Sequence, residues 1–519
     1  MDRFDRRQDA WMAGGLFVLT LFSRIPFRTK ILYHWDSVNF AYAMREFSMA
    51  KEQPQAPGYI VYVWLCRLVD VLFHDAQATM VWISVVASAL AVVTLFYLGR
   101  SLFDRRVGLI AALFLVASPL FWFYGEIALP HSLDTLLVIL GVWWLYETMQ
   151  GRHRYLYPAI AVAALAGGVR QQTLVFLVPL LLFALRKVGW KRFLIAGALG
   201  AAICLVWFVP LMALSGGLKA YLEVTARFTE RFYATTSVLK GAGWWGVRRN
   251  LLKLTMYTLF GWGVALLPAM ACLAVKVWRR EWSFDREKAA FFVLWMAPTL
   301  IFYVLIHMGQ QGLVFVFLPA LLLWGAAGLV YLSGSQPRRL TVIACVLLAI
   351  NVALFCLVPE YPLGGDRFRL LTCDALINAD HYYMDRIDAI KSKLAPGSTA
   401  ILASNWHHVQ YYLPEYVLLP FDVGSKWEKN EGDPAGALRQ VSATPTGLGL
   451  QPDDRGQVVI AIFDPYLMAF SETVSSMHEL PLKHGGGLGY LTLMEEQFFH
   501  YGSGSFGISS GTPGMPVGQ

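Results

Sequence analysis

The chain has 519 residues, 56% hydrophobic and 14% aromatic but only 15% charged, with a mean hydropathy of +0.49, which excludes an ordinary soluble globular protein. Its net charge of +8 does not imply a nucleic-acid partner, because the Lys and Arg residues sit in short clusters between apolar runs, where they fix topology and meet anionic lipid head groups. Four of the six cysteines lie inside apolar runs, and Cys66 and Cys373 are far apart, so no disulfide framework or metal-ligand spacing is present.

In chain order, apolar runs long enough to cross a bilayer as helices fall near 11–27, 76–99, 107–124, 131–149, 155–169, 171–187, 193–214, 251–277, 289–306, 312–332 and 340–358. The first lacks a small-residue cleavage site and reads as a retained helix. With the N-terminus inside, the inner loops carry about nineteen Lys or Arg in about fifty residues and the outer ones about thirteen in about a hundred, which satisfies the positive-inside rule. The pattern predicts an all-α polytopic membrane domain of about 11 helices over 1–361, with residues 359–519 outside.

Two outer loops, 28–75 and 215–250, are long and carry amphipathic stretches expected to form the roof of a site. In the first, "PGYIVYVWLCRLVDVLF" is interrupted by Arg67 and Asp70 and reads as a juxtamembrane helix. After Tyr361 the composition changes. "MDRIDAIKSKLAPGSTAILASN" gives a helical period, a Pro-Gly turn and a short apolar run, and "GQVVIAIFD" reads as a buried strand. A small extracytoplasmic α/β domain is expected over 362–500, and the Gly/Ser/Pro-rich residues 501–519 read as a disordered tail. No inverted repeat of the transporter kind is visible.

The chemistry-bearing residues cluster on the outer side. Asp36, in "LYHWDSVNFAYAMREF", opens a helix on which Asn39 and Tyr42 share its face. Such an Asp either caps the helix or serves as a base or cation ligand at the membrane mouth. Glu126 lies between apolar segments, where a carboxylate must be paired or working. His131 can reach the same face, and Asp134 is expected to cap the next helix. Arg170 follows two glycines in "LAGGVRQQ", and its planar fork suits a phosphate or snorkels. Glu223, Arg227 and Arg231 recur every four residues, either as an ion-paired stripe or as a clamp on an anionic head group. Gln310 and Gln311 occupy an outer turn from which they can donate to a sugar or diphosphate. No Walker A or Rossmann glycine pattern occurs, so an activated substrate is expected to arrive within the membrane.

"HWDSVNFAYAMREF", "PQAPGYIVYVWL" and "RSLFDRRVGLIAALFLVASPLFWFYGEIALPHSLDTLLVILGVWWLY", with "RFTERF" and "FVLWMAPTLIFYVLIHMGQQGLVFVFLPALLLW" further on, resemble the GT-C glycosyltransferases. The similar branch contains the protein O-mannosyltransferases and the lipid A aminoarabinose and galacturonic acid transferases. The resemblance implies a multi-helix membrane fold, a polyprenyl-phosphate-sugar donor and a protein, lipid or glycan acceptor. It implies an active site on the outer face of the cytoplasmic membrane. Asp36 matches the family's catalytic position as an inverting base, with Glu126 as a second acid. Arg170, Arg227, Arg231 and His131 become candidates for the donor phosphate and lipid, and Asn39, Tyr42, Tyr59, Gln310 and Gln311 for sugar or acceptor. The sequence departs from the pattern at His131, where relatives often have Asp, at Arg170, where they often have Lys, and in "QPQAPGY", which lacks a family Lys. No cofactor is expected, although Asp36 and Glu126 are two carboxylates able to share a divalent ion. A transporter or flippase of a lipid substrate, and a subunit that has lost its chemistry, are the alternative readings.

Overall fold

A computed structural model describes residues 3–281, 285–365, 368–420, 450–470, 477–494, 498–501 and 506–509. The chain divides into two compact units, one of Met1–Lys30 with Asn39–Ile377 and one of Ile31–Val38 with Asn378–Gln519. The second unit takes in the short segment that carries Asp36.

The first unit is helical. Its elements are α1 (Arg3–Arg24), α2 (Trp35–Arg45, begun in the other unit), α3 (Ile60–Phe73), α4 (Ala76–Leu102), α5 (Arg105–Ala117), α6 (Pro119–Tyr124), α7 (His131–Met149) and α8 (Leu156–Val169). They continue as α9 (Gln171–Leu185), α10 (Trp190–Leu214), α11 (Leu218–Tyr233), α12 (Gly243–Trp262), α13 (Leu266–Arg279), α14 (Arg286–Leu305), α15 (Leu318–Ser333) and α16 (Pro337–Cys356). Each of the eleven apolar runs thus contains a helix. Six described helical segments, at Arg7–Phe27, Ala76–Leu102, Trp190–Leu214, Gly243–Arg279, Arg286–Leu305 and Pro337–Cys356, are long and apolar enough to cross a bilayer. The other five runs give helices that are shorter, broken or less apolar.

The breaks have local causes. Ser118 ends α5, and its Oγ caps the Phe121 amide at the start of α6, with Pro119 at the first helical position, where its missing N–H costs nothing. The same hydroxyl donates to the Gly261 carbonyl at 2.6 Å, which ties α6 to α12. Between α12 and α13, Gly263 adopts φ +57°, and a Cβ there would lie 2.3 Å from Asn351 Oδ1. That oxygen accepts from the Val264 amide at 3.0 Å, supplying the bond that the broken helix loses. α4 is the central helix, with 72% of its apolar window buried against 17% in α10. On α13 the exposed Leu267, Met270, Leu273 and Val277 recur at helical spacing, as a lipid-facing stripe does.

The two long loops meet on α10, where Met49, Ala56 and Ile60 of the first and Tyr221 of the second share an apolar core with Trp207 and Leu211. Arg67, on α3, donates to the Ala43 and Met44 carbonyls at 2.8 and 2.9 Å and so satisfies the end of α2.

The second unit is α/β. α17 (Cys373–Lys393, begun in the first unit) and α18 (Trp406–Tyr412) pack on a five-stranded sheet of order β2-β1-β3-β5-β4. Its strands are β1 (Thr399–Ala403), β2 (Val417–Pro420), β3 (Gln457–Ile462), β4 (Met477–Pro481) and β5 (Gly487–Met494). β1 pairs in parallel with β2 and β3, while β5 runs antiparallel to β3 and β4. Of the tail at 501–519, residues 502–505 and 510–519 lie outside the described residues. Phe506–Ser509 (β7) pairs with Phe498–Tyr501 (β6).

At the carboxyl ends of β1 and β3 the buried Asp464 accepts from the Ser404 and Asn405 amides, at 2.6 and 2.9 Å, and from the Asn405 side chain and the Tyr382 hydroxyl. This carboxylate turns the chain from β1 into α18. On α18 the buried His408 stacks on Tyr383 at 4.0 Å. Its Nε2 lies 2.7 Å from the Leu32 carbonyl, which only accepts, so Nε2 carries the proton.

Burial, with His34 and His407 adding to it, pushes the His408 imidazole down to about 3. In the unfolded chain it titrates near about 6.5. Above that value neither state binds the proton and the full stability is present. Below it the unfolded chain takes a proton that the folded unit refuses, so stability declines between about pH 6.5 and about pH 3. Hydrogen exchange at 31–38 and 406–412 should therefore rise as the pH is lowered from about 7 to about 5, and less so in His408→Gln. An equal rise in both proteins would assign the acid response to another group.

Candidate functional site

The last turn of α8 carries Gly167 and Gly168, and a Cβ on Gly168 would fall 2.3 Å from Val61 Cγ2 and 3.0 Å from Trp207. The absence of side chains lets α3 and α10 close on this helix end, as the two glycines before Arg170 suggest. Arg170 is the single extended residue between α8 and α9 (φ −153°, ψ 108°). Its side chain is buried, 7% exposed, where the two helices separate.

Two groups hold the guanidinium. Nη2 donates to the Tyr303 hydroxyl at 3.1 Å, and Nη1 stands 3.7 Å from Asp134 Oδ2. Asp134 Oδ2 in turn accepts from Thr173 Oγ1 at 3.0 Å. The Tyr59 hydroxyl is near enough to act on the Arg170 charge. Tyr59 itself sits at φ 42°, a left-handed conformation that costs a bulky residue on the order of 1–3 kcal/mol and persists only where its surroundings enforce it.

The neighbouring loop is pinned by Asn250, which is fully buried and donates to the Thr236 and Val304 carbonyls at 3.0 and 3.2 Å while accepting from the Met308 amide. This places His307 with its ring on Tyr233, 4.8 Å between centroids, and its Nδ1 3.0 Å from Thr236 Oγ1. Burial first, and then the charges of Arg249, Lys253 and Arg170, push the His307 imidazole down to about 4. The corner thus offers cationic groups from α12 and the α8–α9 junction together with tyrosine hydroxyls and a neutral imidazole. Such a set suits an anion carrying a polar group.

The other candidate residues are placed as follows. Asp36 is in the first turn of α2, in the second unit, with its amide donating to His34 Nδ1 at 3.1 Å and its carboxylate 3.5 Å from that nitrogen. Asn39 is buried and Tyr42 half-buried on the same helix. Glu126 is fully buried, its two carboxylate oxygens make no hydrogen bond among the described residues, and its backbone carbonyl holds Thr29. Arg24 donates to the Val116 carbonyl at 2.8 Å and lies over the Trp122 ring. His131 Nε2 meets Gln310 Oε1 at 2.8 Å, and Gln311 starts the short 3-10 turn that follows.

Arg227 is exposed, and Arg231 reaches Glu52 at 3.2 Å rather than Arg227's neighbour Glu223, which pairs with Lys219. Exposed pairs of this kind contribute little. The structure therefore gathers Arg170 and Tyr59 at one corner and His131 with Gln310 at a second contact. It leaves Arg227 and Arg231 on the surface of α11.

Asp134 does not cap α7, whose N-cap position is Pro130. Instead it is the counter-charge of Arg170. That role, and the parts of Thr173, Tyr303, Arg249 and Lys253, were not read from the sequence. The one available signal was that an arginine within apolar sequence needs a carboxylate. Among the described residues no group of three or more His, Cys, Asp or Glu is arranged to hold a metal ion.

Several solved structures share the architecture over nearly the whole chain. ArnT from Cupriavidus metallidurans bound to undecaprenyl phosphate covers 95% of this chain and 98% of its own, at 14% identity and a TM-score of 0.55. The chain has the GT-C glycosyltransferase fold. The apo state of the same ArnT gives 16% identity, coverage of 93% and 97%, and a TM-score of 0.52. An Archaeoglobus fulgidus oligosaccharyltransferase in complex with Zn and sulfate covers 95% of this chain and 73% of its own, at 10% identity and a TM-score of 0.51. In sequence, the model of the dolichyl-phosphate-mannose-protein mannosyltransferase family matches residues 54–213. That stretch includes Tyr59, Glu126, His131, Asp134 and Arg170 and begins after Asp36. No curated protein matches the chain.

Removing Asp134 leaves Arg170 buried without its carboxylate, a change that costs about 3–5 kcal/mol when a buried pair loses one member. Asp134→Ala should lower the thermal midpoint of the detergent-purified protein, and adding Arg170→Met should restore much of the loss. Equal midpoints for wild type and Asp134→Ala would contradict the pairing.

Proposed function

We propose that this protein is a membrane glycosyltransferase that takes a sugar from a polyprenyl-phosphate donor and passes it to a protein, lipid or glycan hydroxyl. The observation that carries the proposal is the buried Arg170, held by Asp134 and Tyr303 at a helix junction of a GT-C fold. The ArnT that shares this fold over nearly its whole length was solved with undecaprenyl phosphate bound. In this reading the enzyme works at the outer face of the cytoplasmic membrane, with its N-terminus inside. The lipid tail then stays in the bilayer while the phosphate and sugar are presented at the membrane surface.

Asp36 accepts the proton of the acceptor hydroxyl as that oxygen attacks the anomeric carbon. The bond from this carbon to the phosphate oxygen breaks on the opposite face, so the configuration inverts and polyprenyl phosphate departs with the electron pair. Arg170 stabilises the charge that grows on the leaving phosphate, with the Tyr59 and Tyr303 hydroxyls as further donors. His131, Gln310 and Gln311 contact sugar or acceptor. Glu126, fully buried in the membrane unit, is the second acid of this reading.

Purified protein given a panel of labelled polyprenyl-phosphate sugars should turn over at least one donor, and Asp36→Asn should reduce that turnover on the order of a hundredfold or more, as loss of an essential base does. Full activity in a normally folded Asp36→Asn would remove Asp36 from the mechanism. Movement of a lipid across liposome bilayers with no sugar transferred would favour the transporter reading.

A further inference from the structure

The segment that carries Asp36 is built into the α/β unit, and its attachments are specific. Ile31 is buried in the core of that unit with Tyr383, Ile387, Val409 and Leu413. At the next residue both peptide groups are taken up by α18. The Leu32 carbonyl accepts from His408 Nε2 at 2.7 Å, and the Leu32 amide donates to the Tyr412 hydroxyl at 3.0 Å. His408 and Tyr412 are four residues apart and share one helical face. Trp35 packs against His407, one residue before His408, with 5.5 Å between ring centroids.

Leu32 is followed directly by the turn that starts α2, in which the Ser37 amide donates to the His34 carbonyl at 2.8 Å and the Asp36 amide to His34 Nδ1. The chain between the fixed Leu32 peptide and the Asp36 carboxylate is thus short and hydrogen-bonded.

We infer that α18 is a positioning element for the catalytic base, with His408 and Tyr412 as positioning residues that fix the Asp36 segment through the two peptide groups of Leu32. This rests on the reading of Asp36 as base. His408 suits the task because its Nδ1 makes no hydrogen bond and its ring is buried on Tyr383, leaving Nε2–H as its one directed contact. An imidazole that stays neutral keeps this bond over the working pH range. Neither residue touches the reacting atoms. Their effect is geometric, and a displacement of about 1 Å at a reacting group is enough to lower a rate by about a hundredfold. The α/β unit, on this account, holds the segment that carries the base.

The test uses the full-length protein with a donor it turns over, and compares wild type with His408→Ala, His408→Gln, Tyr412→Phe and Asp36→Asn. His408→Ala and Tyr412→Phe should each lower kcat by about tenfold or more, with KM for donor near wild type, and should raise hydrogen exchange at residues 31–38. His408→Gln keeps an N–H donor at nearly the same reach and should recover most of the rate. If His408→Ala does not fold, Tyr412→Phe and His408→Gln carry the comparison. Wild-type kcat and unchanged exchange in His408→Ala and Tyr412→Phe, beside an inactive Asp36→Asn, would overturn the positioning role and leave the base intact. An active Asp36→Asn would instead remove the base, and the positioning role with it.

Discussion

A charge placed inside an apolar helical bundle must find an opposite charge, and the membrane unit is organised around that requirement. At the end where α1 begins, Asp9 is paired with Arg100 and Arg105, both at 2.7 Å, and Glu147 takes Arg152 and Ser101. The cations there are partly exposed, as expected of the loops read as inner, where solvent and lipid head groups share the work. Towards the opposite ends of the helices a pair is enclosed. Arg170 opposes Asp134, with almost no exposure of either. Such enclosed pairs are weak sources of stability but strict fixers of geometry, since loss of either partner strands a charge.

Arg24 is also fully buried, and it donates to the Val116 carbonyl and lies over the Trp122 ring, which ties α1 to α5 and α6. Arg170 stands at a helix junction, with Tyr303 on one side, Asp134 on the other, and the Arg249 and Lys253 charges reaching the adjacent His307. Hydroxyls and cations together are what a phosphate leaving group calls for. In the α/β unit a different economy holds: the parallel strands β1 and β3 bring their carboxyl ends together at Asp464, and α18, which starts there, reaches out to the Asp36 segment.

Much of this was legible in the sequence, and the parts that were not have a common cause. The apolar runs became helices because about twenty apolar residues in lipid have no other way to satisfy their backbone. Breaks at Ser118 and Gly263 followed local signals, a proline and a glycine, that the long runs had hidden. The helix opened near Asp36 and the close approach at the glycines before Arg170 were also local signals. Asp134 was misread as a cap because its partners, Thr173 and Arg170, lie beyond the next helix. The attachment of Leu32 to His408 joins residues 376 positions apart, and no periodicity or spacing announces it.

The central claim is that the Arg170 corner holds the phosphate of a polyprenyl monophosphate. Native mass spectrometry of the detergent-purified protein can compare binding of a polyprenyl monophosphate with that of the corresponding free polyprenol, in wild type and in Arg170→Gln. The account predicts a clear preference of wild type for the phosphate, lost in the folded Arg170→Gln variant. Equal binding of alcohol and phosphate by wild type, or an undiminished preference in Arg170→Gln, would contradict it.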